Sequence, residues 1–155
     1  MKPSRILALA AALLATATLQ AGEKGHSHNH EKKQAGPNGG RLITSIEPHA
    51  EFFVMPDRKV QITFTGENGT AIAPEEQLVA VTTGERSTPV KMTFIKTGDV
   101  LLSEQTVPFG NNFPVVVQIK STPEAKAVVE KFTLNLSNCT GCNLAEYACV
   151  CDHQP

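Results

Sequence analysis

The chain has 155 residues, 41% of them hydrophobic and 19% charged, with 11 Gly, 10 Pro, 4 Cys, one Tyr and no Trp. This composition fits one globular domain with appendages and excludes a collagen-like, coiled-coil or wholly disordered chain. Lys and Arg total 14 against 15 Asp and Glu, so no basic footprint points to nucleic acid or to an anionic membrane.

Lys2 and Arg5 precede an apolar run from Ile6 to Leu14, followed by small residues from Ala15 to Ala21. That is the layout of a secretory signal peptide, with cleavage expected after Ala17 or Ala21. The run is broken by Thr16, Thr18 and Gln20, which makes it too short for an uncleaved membrane anchor of about 20 apolar residues. Residues 1–21 are therefore read as a signal peptide and the product as periplasmic or secreted. No Cys lies in this region, so no lipid attachment or membrane anchoring is expected after cleavage.

Residues 22–40 read GEKGHSHNHEKKQAGPNGG. Nothing there is more apolar than Ala, Pro or Gly, so burial cannot offset the entropy of ordering, and a flexible His-rich arm is expected. Within it His26, His28 and His30 alternate, which places three imidazoles on one side of an extended chain where they can share a borderline metal ion. The same pattern also reads as a solvated polar linker.

From Arg41 to Leu136 short alternating runs are separated by Gly, Pro, Asn and Asp, the signature of an antiparallel β domain. Val60, Ile62 and Phe64 alternate with Lys59, Gln61, Thr63 and Thr65; Val90, Met92 and Phe94 stand against Lys91, Thr93 and Lys96. Turns are expected at Gly66–Gly69 and Thr97–Asp99, where the residues tolerate positive φ. Further strands are expected at 50–54, 78–82, 100–103, 115–120 and 128–136, and a single helical turn at Thr122–Ala127, where Pro123 follows a capping Thr. Roughly seven strands over residues 41–136 suit an all-β, Ig-like antiparallel sandwich.

Residues 137–155 form a Cys-rich tail that holds all four cysteines as C-x2-C-x6-C-x-C: Cys139, Cys142, Cys149 and Cys151, with His153 behind them. Two readings stand. Thiolates bind Zn²⁺ or Cu⁺ strongly, Thr140-Gly141 lets the first pair wrap one ion, the second pair closes the sphere, and His153 is a substitute ligand. Alternatively, export to an oxidising compartment favours two structural disulfides, with pairings crossed between the clusters because a Cys149–Cys151 ring strains the bridge. A redox-active C-x2-C is a distant third, since no thioredoxin-like βαβ pattern surrounds it. His49, alone at the start of a strand, reads as structural. No G-x-S-x-G, H-E-x-x-H or Gly-rich phosphate loop is present, so no enzymatic role is expected.

Gly36-Pro37-Asn38-Gly39-Gly40-Arg41-Leu42, Glu47-Pro48-His49-Ala50-Glu51-Phe52, the Gly110–Val117 segment and Lys131-Phe132-Thr133-Leu134 carry a resemblance. Over residues 36–136 the chain resembles a small periplasmic β domain found near the N-terminus of some adaptor subunits of heavy-metal efflux pumps of the resistance-nodulation-division class. It also resembles small exported bacterial proteins that share this body and a Cys-rich tail. The resemblance implies a periplasmic setting, a link to heavy metals and a heavy-metal efflux system or another periplasmic protein as partner. The long hairpin and barrel domains of such adaptors do not appear in these 155 residues, so the chain is not expected to bridge a pump, and no ligand is carried over from the family. Together the residues lead to an exported heavy-metal-binding protein with Cys139, Cys142, Cys149 and Cys151 as principal Zn or Cu ligands. The alternative is a non-catalytic interaction module whose tail is stapled by two disulfides.

Overall fold

A computed structural model describes residues 33–151. The fold is all-β and antiparallel, with ten strands: β1 (Arg41–Ile43), β2 (His49–Val54), β3 (Lys59–Thr65), β4 (Ala71–Ile72), β5 (Leu78–Glu85), β6 (Thr88–Met92), β7 (Phe94–Thr97), β8 (Val100–Thr106), β9 (Phe113–Lys120) and β10 (Val128–Leu134). One sheet runs β1-β2-β3-β8-β7, with β4 also paired to β3; the other runs β10-β9-β5-β6. Ala50, Phe52, Val60, Ile62 and Phe64 from the first sheet and Val81, Met92, Val115, Val117, Ile119 and Leu134 from the second are almost completely buried in one core. Each large side chain so buried contributes about 1.5–3 kcal/mol relative to exposure, and for Val60, Ile62, Phe64 and Met92 the period-2 pattern that put them inward is the one read from the sequence.

The strand count rises from about seven to ten for identifiable reasons. The run from Val90 to Lys96, expected as one strand, is two: β6 pairs β5 in one sheet and β7 pairs β8 in the other. The chain changes sheets at Thr93, whose N–H and carbonyl bond to Gln105 Oε1 and the Glu104 N–H instead of a strand within its former sheet. The side-chain alternation survives the crossing, since Met92 is buried, Thr93 exposed and Phe94 half-buried, so periodicity alone conceals it. β1 and β4 are too short to alternate measurably. The expected turns form: Gly69 N–H donates to the Gly66 carbonyl at 2.9 Å, with Gly69 at φ 75° and Gly98 at φ 60°.

Residues 122–127 carry no helical turn. The Ala125 N–H closes a turn on the Thr122 carbonyl at 3.1 Å, and the chain must reverse between Ile119 and Val128, which pair directly. Within residues 121–127 no second backbone hydrogen bond extends that turn into a helix.

Order also begins before the expected boundary at Arg41. The Gly36–Gly40 segment is a tight turn, in which the Gly36 N–H donates to the Gly40 carbonyl and the Gly39 N–H to the Gly36 carbonyl, both at 3.0 Å. It sits on Glu51, which is fully buried. The Glu51 carboxylate accepts the N–H groups of Asn38 and Gly40, both at 2.8 Å, and Asn38 Nδ2 at 2.7 Å. Polar bonding, not apolar burial, orders this part of the arm. A Cβ on Gly40 would lie 2.4 Å from the Phe52 carbonyl oxygen, and one on Gly36 equally close to the Glu51 side chain, so the glycines let the turn lie flat on β2. His26, His28 and His30 lie outside the described residues, as does His153. Among the described residues no helix is long and apolar enough to cross a membrane.

Candidate metal centre

The cysteine tail is built into the sandwich. Where β10 ends, the Asn111 side chain of the β8–β9 loop donates to Asn135 Oδ1 at 2.8 Å and accepts the Leu136 N–H at 2.7 Å, fixing the direction in which the chain leaves the sheet. Asn138 and Ala145 then form a bridge, and between them the Cys139 N–H donates to the Leu144 carbonyl at 2.7 Å. The reversal inside this loop falls at Asn143, with φ 59°, a conformation that Asn tolerates better than most residues.

A 3-10 turn, Glu146–Ala148, follows and supplies the joint. Tyr147 is buried at its centre. Its ring meets Phe52 edge-on at 5.9 Å and stacks on Phe132 at 6.3 Å, and its hydroxyl accepts the Val54 N–H at 3.0 Å. β1 begins at Arg41, opposite Phe52, so β1 does not extend along β2 beyond that pair. The phenol takes that place, and burial pushes its pKa up. Arg41, 3.1 Å from Glu130 and stacked over the Phe132 ring at 4.8 Å, ties β1 to β10 across the same seam.

Cys149 follows Tyr147 by two residues, which brings the C-x-C pair against the C-x2-C loop. The four Sγ atoms of Cys139, Cys142, Cys149 and Cys151 all lie within 4.8 Å of one another. Cys139 and Cys149 share an S–H···S contact of 3.2 Å, and Cys142 and Cys149 are 3.7 Å apart. Four sulfurs bound at about 2.3 Å to a tetrahedral zinc ion would be about 3.8 Å from one another, inside the range found. No disulfide joins them. Cys139 faces the core and is buried, while the other three are half-exposed, so an ion can come in from the solvent side.

Backbone N–H groups are already aimed at the sulfurs. Gly141 donates to Cys139 Sγ at 3.4 Å, Cys151 donates to Cys149 Sγ at 3.3 Å, and Leu144 and Val150 donate to Cys142 Sγ. Three cysteines thus each accept the N–H two residues further on, a repeated turn geometry that favours thiolate over thiol. The Leu144 and Val150 N–H groups hold the Cys142 thiol below its ordinary pKa. Burial, then its hydrogen bond with Cys139, pushes Cys149 up. Cys151 is pushed up to about 12, chiefly by its hydrogen bond with Cys142. Thiolate is thus favoured at Cys142 over Cys149 and Cys151, and a bound cation would displace the thiol protons that remain. Four soft sulfur donors fit Zn²⁺ or Cu⁺ and do not fit hard Mg²⁺ or Ca²⁺.

A groove of about 770 Å³ borders the cluster, lined by Arg41, Thr44, His49, Tyr147 and Cys149 among others. His49 there pairs with Glu47 at 2.7 Å. The spacing of the cysteines revealed the cluster; Tyr147, which anchors it, and Glu51, which anchors the Gly36–Gly40 turn, carry no motif. The sole Tyr of the chain, two residues before a cysteine, was the available signal. No protein-family model, curated protein or solved structure matches the chain.

Proposed function

We propose that this is an exported, non-enzymatic protein that holds one soft or borderline metal ion, Zn²⁺ or Cu⁺, through Cys139, Cys142, Cys149 and Cys151, to buffer it or deliver it. The observation that carries this reading is the convergence of four sulfurs within 4.8 Å, three of them half-exposed. Backbone N–H groups aimed at Cys139, Cys142 and Cys149 support it, because they stabilise thiolates before any ion arrives. The leader-like residues 1–21 support a periplasmic or secreted setting. The resemblance of residues 36–136 to the small β domain of heavy-metal efflux adaptors supports a metal-handling partner in that compartment. His26, His28, His30 and His153 are assigned as weaker accessory ligands on their chemistry alone.

A second reading has its own support. The close approach of Cys139 to Cys149 and the hydrogen bond between Cys142 and Cys151 bring together the crossed pairs that two disulfides would use in an oxidising compartment. The tail would then be a staple and the sandwich an interaction module. Thiol titration under denaturing conditions, with elemental analysis on the same protein taken from its native compartment, separates the two. Four thiols with about one equivalent of zinc or copper support the metal site; no thiols and no metal support the staple.

A further inference from the structure

We propose that the groove beside Cys149 binds small anionic thiols and is the route by which a thiol-carried metal ion reaches the four cysteines. The inference rests on the metal-site reading and names the class of donor. At about 770 Å³ the groove lies within the range of small-molecule sites, about 300–1,000 Å³. Tyr147 and Cys149 line it together with Lys33, Arg41, Thr44 and His49. No carboxylate lines it among the described residues. Arg41 is paired with Glu130 and His49 is bonded to Glu47, both carboxylates from outside the lining, which leaves Lys33, exposed at the rim, as the lining cation with no carboxylate beside it among the described residues. A low-molecular-weight thiol bearing carboxylates complements that charge.

Cys149 is suited to receive the ion. Its sulfur lies 3.2 Å from that of Cys139 and 3.7 Å from that of Cys142, so an ion bonded to it is at once within reach of two further ligands. In the transfer the metal–sulfur bond of the carrier breaks as the bond from the metal to Cys149 Sγ forms. The proton of the Cys149 thiol passes to the carrier thiolate, which leaves as a neutral thiol. No electrons change hands, and no oxidant or reductant is required.

The test uses the full chain with glutathione as the anionic thiol and copper(I) as the ion. Glutathione should bind saturably, and Lys33→Glu, at an exposed site that folding does not depend on, should weaken that binding about fivefold or more at low salt. The same variant should slow copper(I) loading from its glutathione complex by a similar factor. Loading from the copper(I)–acetonitrile complex, and the copper(I) affinity measured by chelator competition, should stay as in the wild type. Glutathione binding that does not saturate, or loading rates indifferent to Lys33→Glu while copper(I) affinity is intact, would overturn the groove assignment alone. Failure of both copper donors to load the four thiols would instead overturn the metal-site reading beneath it.

Discussion

The interior of the sandwich and the cysteine tail are held together by different forces. Between the sheets, Phe52, Ile62, Phe64, Val117 and Ile119 are buried by alternation along long strands, and the hydrophobic effect supplies most of the stability. The tail has one short 3-10 turn, a hairpin-like loop and a single large buried side chain, Tyr147. Its remaining order comes from N–H···S and backbone bonds around four sulfurs. A core of the first kind stands without an ion. A tail of the second kind is the sort of small structure to which a structural zinc ion adds about 10–16 kcal/mol of apparent binding energy.

The largest expected effect tests that contrast directly. Replacing Cys139, Cys142, Cys149 and Cys151 together with Ser should lower zinc or copper(I) affinity at least about a thousandfold, read by chelator competition. The far-UV circular dichroism of the β body should persist. Loss of the β signal would show that tail and body are one cooperative unit.

Tyr147 is where the two regions meet, and its replacement sharpens the comparison. Tyr147→Ala should cost about 3–5 kcal/mol by denaturant titration, since a large buried ring is removed from contact with Phe52 and Phe132. Tyr147→Phe keeps the ring and strands the Val54 N–H, so about 1 kcal/mol is expected. Equal effects of the two variants would assign the joint to the hydroxyl instead of the ring.

At the Gly36–Gly40 turn, Glu51→Ala should cost about 1–3 kcal/mol, because the N–H groups of Asn38 and Gly40 lose their buried acceptor. Faster amide exchange confined to residues 36–43 would accompany it. The smallest effect is expected at Phe109, which is 91% exposed and touches Arg58 at 5.2 Å. Phe109→Ser should change stability by less than about 1 kcal/mol, the scale of an exposed cation–π contact.

The sequence announced those parts of the molecule whose physics is periodic or compositional. Val60, Ile62 and Phe64 could be placed because one face of a strand must be apolar, and the four cysteines could be grouped because their spacing keeps them close on any backbone. The crossing at Thr93 was not legible, since the alternation of Met92, Thr93 and Phe94 continues through a change of sheet. Glu51 was not legible either. Its neighbours Ala50 and Phe52 face the core, and only the turn folded over the opposite face of β2 buries the carboxylate. The docking of the Cys-rich tail onto the sheets was not legible for the same kind of reason, because Tyr147 makes contacts with residues 15 to 95 positions away, among them Phe52 and Phe132.

X-ray absorption at the metal edge of the zinc-loaded full chain tests the central claim most directly. Four sulfur neighbours at about 2.3 Å, lost in the four-Ser variant, are the expected result. A shell dominated by nitrogen and oxygen, unchanged when the four cysteines are replaced, would contradict the assignment of Cys139, Cys142, Cys149 and Cys151 as the metal centre.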